Sequence, residues 1–306
     1  MAVGLLFPGQ GSQFVGMVDA WASHPASQAV IEEANEAFGQ DLAELARDEK
    51  ALARTDVVQP VTLACELAAF RVLSESAPGL DVAGAAGHSL GEFAALAAAG
   101  VIPVAGAFEA VRIRSKAMQA ASDSGQGAMT ALVGMSVEDA KSICEEAAQG
   151  DVLLVANENS PVQTVLSGTT DAIARAEDVA RERKARAIRL PLPGAFHSPL
   201  MEPARQEVEA AINRLDFAAP RFPIIPNALG TPTSDPDELR QALLVHLVSP
   251  VHWIATMASM QSLGVDRVIE VGPGNVLTKL AKRCAPDIAA ATANTPEEAA
   301  TVGTAE

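Results

Sequence analysis

Two hydrophobic rhythms run along the chain. Val3-Gly-Leu-Leu-Phe7 is an unbroken apolar run closed by Pro8-Gly9, which predicts a buried strand entering a Gly-bounded loop. Apolar residues three and four apart over Pro25–Phe38 and Gln59–Ser76 predict helices. The second leads through Pro78-Gly79 into the apolar run Val82–Ala86, a further strand. That strand ends at Gly87-His88-Ser89-Leu90-Gly91, and a helical pattern over Glu92–Ala99 follows at once. Strands alternating with helices imply a parallel sheet covered on both faces.

From Gly127 to Leu192 the rhythm changes. Strands are expected over Ala128–Gly134, Val152–Ala156, Thr164–Leu166 and Ala187–Leu190, with helices over Val137–Ala148 and Ala172–Lys184. This βαββαβ order is that of a ferredoxin-like unit. The expected fold class is therefore α/β, an α/β-hydrolase-like large subdomain (1–126 and 193–306) with an inserted ferredoxin-like small subdomain (127–192). Gly125-Gln-Gly127 and Pro191-Leu-Pro193-Gly194 are the expected hinges. Beyond them come a helix over Pro199–Leu215, a short strand over Phe222–Pro226, a helix over Pro236–Leu247 and a last strand over Val268–Val271 before Gly272-Pro273-Gly274. The Ala/Thr/Glu-rich stretch from about Ala289 reads as a frayed end.

Composition narrows the function classes. With 49% hydrophobic and 20% charged residues, the 306-residue chain is neither disordered nor fibrous. Its formal net charge of −16 argues against a sequence-independent nucleic-acid binder, and any anionic substrate must be met by a local cation. No uninterrupted apolar stretch reaches about 18 residues, and the N-terminus lacks the basic region and cleavage site of a signal peptide. Cys65, Cys144 and Cys284 are widely spaced, which fits packing residues in a reducing cytosol. The expected protein is a cytoplasmic monomer with no bound cofactor or metal and no nucleic-acid or membrane partner.

Gly87-x-Ser89-x-Gly91 is a nucleophile-elbow pattern, in which a tight strand-to-helix turn exposes a serine hydroxyl. A serine used only as a helix N-cap is the alternative. Such a serine needs a base, normally a histidine. Of the five histidines, His24 and His246 read as structural and His88 as a support of the turn. His197, in Gly194-Ala-Phe-His-Ser198, lies in a loop leaving the small subdomain, where loops commonly line clefts, and His252 stays ambiguous. Arg112 and Arg114 project to different sides of one helix, Ala107–Ala121, so only one can face a cleft, where a substrate carboxylate would be its partner.

Together these motifs resemble the malonyl-CoA:acyl-carrier-protein transacylases, the acyltransferases of fatty-acid and polyketide synthesis. The resemblance spans nearly the whole chain: Phe7-Pro-Gly-Gln-Gly-Ser-Gln13, Gly87-His-Ser-Leu-Gly-Glu92, Arg114-Ser-Lys-Ala-Met-Gln119, Gly127-Ala-Met129, Ala156-Asn-Glu-Asn-Ser160, Ala195-Phe-His-Ser-Pro-Leu-Met201 and Glu270-Val-Gly-Pro-Gly274 occur in family order. It implies Ser89 as nucleophile, His197 as base, Arg114 on the malonyl carboxylate, and the Gln10 and Leu90 amides as oxyanion hole. In this family a main-chain carbonyl near the Pro-Val-x-Trp segment, here Ser249-Pro-Val-His-Trp253, orients the base, which places His252 at the base-orienting position. Phe196 in the base loop goes with malonyl over methylmalonyl. The implied substrate is malonyl-CoA and the acceptor is the phosphopantetheine thiol of an acyl carrier protein. An acidic carrier would dock on Arg181, Arg183, Lys184, Arg186 and Arg189 or on Lys279, Lys282 and Arg283.

The rival in a different class is an α/β-hydrolase-type esterase or thioesterase, which predicts an acid such as Glu138 or Asp171 behind the histidine and no arginine for a free carboxylate. A non-enzymatic scaffold would be favoured by loss of Ser89, His197 or Arg114, and all three are present. Within the transferase class, a trans-acting polyketide acyltransferase and the transacylase subunit of a malonate decarboxylase are the alternatives.

Overall fold

Eight strands occur among residues 2–191 and 194–303, the part of the chain described by the computed structural model. They are β1 (Val3–Phe7), β2 (Val82–Gly87), β3 (Gly127–Val133), β4 (Leu153–Ser160), β5 (Gln163–Thr169), β6 (Arg186–Arg189), β7 (Arg267–Val271) and β8 (Ala289–Ala293). A parallel sheet has the order β2-β1-β7-β8. Side chains alternate across it, so Leu5 and Phe7 join one apolar cluster while Leu6 joins another with Trp253, Met257 and Met260. Burial on both faces explains why β1 is a continuous apolar run.

The second sheet, order β4-β5-β3-β6, is antiparallel and has the strand order of a ferredoxin-like unit. Its helices Val137–Ala148 and Thr170–Glu182 bury Ile143 and Ile173 with Leu132 and Leu166 of the sheet. The mixed α/β fold class expected from the alternation is what the chain adopts. Strand β4 runs on to Ser160, beyond the expected Ala156. Over that extension it pairs with the other half of the protein: the Val251 amide donates to the Ala156 carbonyl (2.8 Å) and the Glu158 amide to the Val251 carbonyl (2.9 Å).

Several expected elements shift. The long helix begins at Thr55, four residues before Gln59, and carries Pro60 inside it. Its first amide, Thr55, donates to the Gln119 side chain at 2.8 Å, so the start is set by a tertiary contact and not by the proline. Phe222–Pro226 is no strand: only Ile224 bridges, to Ala85 and Thr233, because Pro223 and Pro226 have no amide to donate. The helix expected over Pro199–Leu215 is a short 3-10 turn, Pro199–Met201, followed by an α-helix over Glu202–Ile212. The cysteines are free, with Cys65 and Cys144 buried and Cys284 half-buried. Of the second hinge, Leu192 and Pro193 lie outside the described residues, as does the boundary placed between 192 and 193.

The expected frayed end is structured. Strand β8 extends the parallel sheet beside β7, and a helix over Pro296–Val302 buries Ala299 and Val302. Small side chains suit that edge position, and composition alone does not reveal it. Thr295 caps the helix, its side-chain oxygen accepting from the Glu298 amide at 3.2 Å. Thr295→Ala should therefore cost about 1 kcal/mol, read as a lowered midpoint in urea unfolding, whereas a frayed end would give no change.

Candidate active site

β2 ends in a turn with no room for side chains. A Cβ on Gly87 would lie 1.9 Å from the Gly91 backbone, and one on Gly91 would lie 2.1 Å from the Phe7 carbonyl oxygen. Ser89 sits in this turn with φ 51°, a left-handed conformation that costs a non-glycine residue about 1–3 kcal/mol. The helix Gly91–Ala98 begins immediately after it. The loop after β1 packs on the same turn: the His88 amide donates to the Phe7 carbonyl at 2.9 Å, and a Cβ on Gly9 would meet the His88 carbonyl at 2.5 Å. This contact brings Gln10 beside Leu90.

Ser89 and His197 meet, with Ser89 Oγ 2.8 Å from His197 Nε2. His197 also has positive φ, 57°, held by the turn in which Ser198 Oγ donates to the Ala195 carbonyl (2.6 Å) and caps the following 3-10 helix. His197 Nδ1 faces the carbonyls of His246 (3.0 Å) and Ser249 (3.1 Å). His246 is the C-cap of the Pro236–Val245 helix, and Ser249 lies in the turn after it, just before Pro250. The expectation for His252 is corrected here. Its Nδ1 pairs with Glu158 at 2.9 Å, at the start of the Trp253–Ser262 helix, and it does not orient the base. No carboxylate bonds His197 Nδ1 among the described residues, so Glu138 and Asp171 supply no third member.

Arg114 is fully buried on the Val104–Asp123 helix, donating to Ser89 Oγ (3.1 Å) and to Gln59 Oε1 (2.6 Å). Arg112, two positions away, is only half-buried and lies 3.7 Å from Glu109. Gln59 carries no sequence signal as a site residue: with a helix expected to start at Gln59 its facing is undefined, and the turn from Thr55 that precedes it points it at Arg114. Gln10, His88, Leu90, Phe196 and His197 line a cavity of about 130 Å³ with Met118, Met129, Val165 and Leu190. Neither the Gln10 nor the Leu90 amide donates to a backbone carbonyl among the described residues. His88 does more than support the turn, since its Nε2 donates to Asn159 Oδ1 (2.9 Å) at the junction with a second cavity of about 260 Å³. Lys279 and Arg283 line that second cavity. A larger groove of about 810 Å³ is lined by His24 and Ser74, but the Ser74 hydroxyl donates to the Phe70 carbonyl (2.6 Å) and His24 Nδ1 accepts from the Ala26 amide (3.3 Å), so chemistry and not volume marks the site.

The electrostatics follow from burial. Loss of water pushes the Arg114 guanidinium down to about 9, with Glu92 opposing the shift. His197 is pushed down to about 3, first by burial and then by the nearby Arg114 charge. It is therefore a neutral imidazole, able to accept a proton, throughout the neutral range. Glu92, also buried, is raised to about 7.

Comparison with known proteins decides the family. Residues 5–306 match the acyl transferase domain. The chain belongs to the acyl transferase family. It is 39% identical over 295 residues to the malonyl CoA-acyl carrier protein transacylase of Escherichia coli K12, covering 95% of each chain. It superposes on the acyl-carrier-protein S-malonyltransferase of Burkholderia pseudomallei with a TM-score of 0.94 and 36% identity, covering both chains fully. A TM-score of 0.94, with 35% identity and 99% of both chains covered, also relates it to a malonyl-transacylase in complex with its type II PKS acyl-carrier protein.

The depressed His197 value gives a test within this acyltransferase site. In a Glu92→Gln background, which removes the neighbouring carboxyl raised to about 7, Ser89 labelling by an uncharged sulfonyl fluoride should hold its rate from pH 8 down to about 5, because the base protonates only below that range. An inflection near 6.5, the ordinary histidine value, would contradict the buried, Arg114-facing environment.

Proposed function

We propose that the protein transfers a malonyl group from malonyl-CoA to the phosphopantetheine thiol of an acyl carrier protein through a malonyl-serine ester. The observation that carries this reading is Arg114, a buried guanidinium on the nucleophile with no carboxylate bonded to it among the described residues. An esterase for neutral acyl groups has no use for such a charge; an acyl group ending in carboxylate does.

In the proposed reaction, His197 Nε2 takes the Ser89 hydroxyl proton as Oγ attacks the thioester carbon. The oxyanion develops near the Gln10 and Leu90 amides, at the start of the Gly91–Ala98 helix. The carbon–sulfur bond then breaks, and the CoA thiolate receives the proton from His197. The carrier thiol enters, gives its proton to His197 and attacks the ester, and Ser89 recovers its proton on leaving. While bound, the malonyl carboxylate offsets the Arg114 charge that depresses His197, making the imidazole a stronger base when the substrate is in place. Phe196 lies buried against the cavity, where its bulk disfavours an α-methyl group by about 1–3 kcal/mol.

Mass spectrometry after mixing with malonyl-CoA should find a malonyl adduct on the wild-type chain and none on Ser89→Ala. Arg114→Ala should lower malonyl transfer by about 100-fold or more while changing acetyl transfer far less, since the lost bonds go to a charged group. An unchanged malonyl-to-acetyl preference would defeat the carboxylate assignment.

The two basic clusters differ as docking surfaces. In the first, Arg181, Arg183 and Arg189 are already paired, with Asp178, Glu146 and Glu177, which leaves only Lys184 and Arg186 without an acidic partner within 4 Å among the described residues. Lys279, Lys282 and Arg283 have no acidic partner within 4 Å among the described residues, and Lys279 and Arg283 line the cavity that adjoins the site. Lys279→Glu with Lys282→Glu should raise KM for an acidic carrier more than KM for malonyl-CoA, and the difference should shrink as salt rises. Equal carrier kinetics at low ionic strength would remove this cluster from docking.

A further inference from the structure

The nucleophile turn is held by a side chain 138 residues further along the chain. Asn227 is buried and does not line the cavity. Its Oδ1 accepts from the Ser89 amide at 2.8 Å, and its Nδ2 donates to the Gly87 carbonyl at 2.6 Å. Both its Nδ2 and its own amide, the latter at 2.8 Å, donate to Glu92 Oε2. Its carbonyl accepts from the His252 amide at 3.1 Å, so every polar group of this residue is engaged. One asparagine thus ties the residues before, at and after the nucleophile. Glu92, fully enclosed on the helix that follows the turn, fixes which way the amide points. A left-handed serine persists only where its surroundings over-determine it, and these contacts supply that constraint. They also occupy the Ser89 amide while leaving the Leu90 amide without a backbone acceptor.

We propose that Asn227, oriented by Glu92, is a positioning residue for acyl transfer, fixing the turn so that Ser89 Oγ lies on His197 and the Leu90 amide remains available to the oxyanion. This rests on Ser89 being the nucleophile. The two amides on either side of the reacting hydroxyl then have separate tasks: one anchors the turn and the other serves the reaction. The effect falls on the rate of the chemical step, not on substrate affinity, because neither Asn227 nor Glu92 lines the cavity.

Single-turnover acylation by malonyl-CoA, followed by rapid quench and intact-mass measurement, separates rate from the number of competent sites. Asn227→Ala should lower the acylation rate constant at least 30-fold while the adduct still approaches one per chain and half-saturation by malonyl-CoA stays within about threefold. Asn227→Asp keeps an acceptor for the Ser89 amide but sets an oxygen against the Gly87 carbonyl and Glu92, so its rate should fall as well. Glu92→Ala should lose at least 10-fold, and Glu92→Gln, which retains an oxygen acceptor toward Asn227, should recover most of it. A wild-type rate in Asn227→Ala, or a loss found wholly in adduct stoichiometry with the per-site rate unchanged, overturns the proposal. Should Asn227→Ala not fold, the Glu92 pair decides, and equal rates in Glu92→Ala and wild type overturn it. An adduct retained on Ser89→Ala would instead remove the underlying nucleophile assignment, a result separate from either outcome at Asn227.

Discussion

Where β2, the Phe7-Pro8-Gly9 loop and the Gly91–Ala98 helix converge, backbone packs directly on backbone. A single methyl group at Gly87 or Gly91 would overlap main-chain atoms at about 2 Å, and Gly9 is only slightly less confined. That closeness has chemical consequences. It forces Ser89 into left-handed geometry, lifts its hydroxyl out of the turn and sets Gln10 next to Leu90. Strain of this kind is stable only when neighbours leave no easier conformation, and here the Phe7 carbonyl and the Asn227 side chain hold the turn on both sides of the serine.

Charge is arranged around the same point with little solvent to moderate it. Arg114 is buried without an ion pair among the described residues, and Glu92 is the acid that most offsets its positive charge. Burying an unpaired guanidinium costs free energy that fold stability alone does not explain, and perturbed groups of this sort concentrate at functional sites. His197 is depressed first by burial and then by this charge, and in the proposed reaction the malonyl carboxylate offsets the second of these. That reaction couples binding and activation of the base through one cation.

The site also depends on how the two sheets meet. Met129, Asn157, Asn159, Val165 and Leu190 come from the antiparallel sheet region, whereas Gln10, Ser89 and Leu90 come from the parallel one. The Asn157–Val251 bridge joins the two, and His252 and Glu158 pair beside it. His252 is thus a clasp between the sheets and not a partner of the base. The carbonyls that do face His197 are those of His246, the C-cap of the Pro236–Val245 helix, and of Ser249 in the turn that follows it.

Local pattern determined much of this before any tertiary contact was considered. The apolar run of β1, the βαββαβ order from 127 to 189 and the G-x-S-x-G turn follow from periods of 2 and 3.6 and from glycine's lack of a Cβ, all short-range properties. Resemblance of motifs pointed to Ser89, His197 and Arg114, and the fold brings both His197 and Arg114 within 3.1 Å of the Ser89 hydroxyl oxygen. What periodicity could not supply were pairings across long stretches of chain. Gln59 reaches Arg114 because the helix starts at Thr55, where a distant Gln119 receives its first amide. Asn227 lies in a proline-bounded segment with no period, and β8 is an alanine-rich strand whose partner, not its composition, makes it a strand. The resemblance pointed to a main-chain carbonyl near the Ser249–Trp253 segment as the partner of the base, but only the packed structure selects Ser249 within it and adds His246, because a carbonyl is common to every residue and its role depends on where the chain places it.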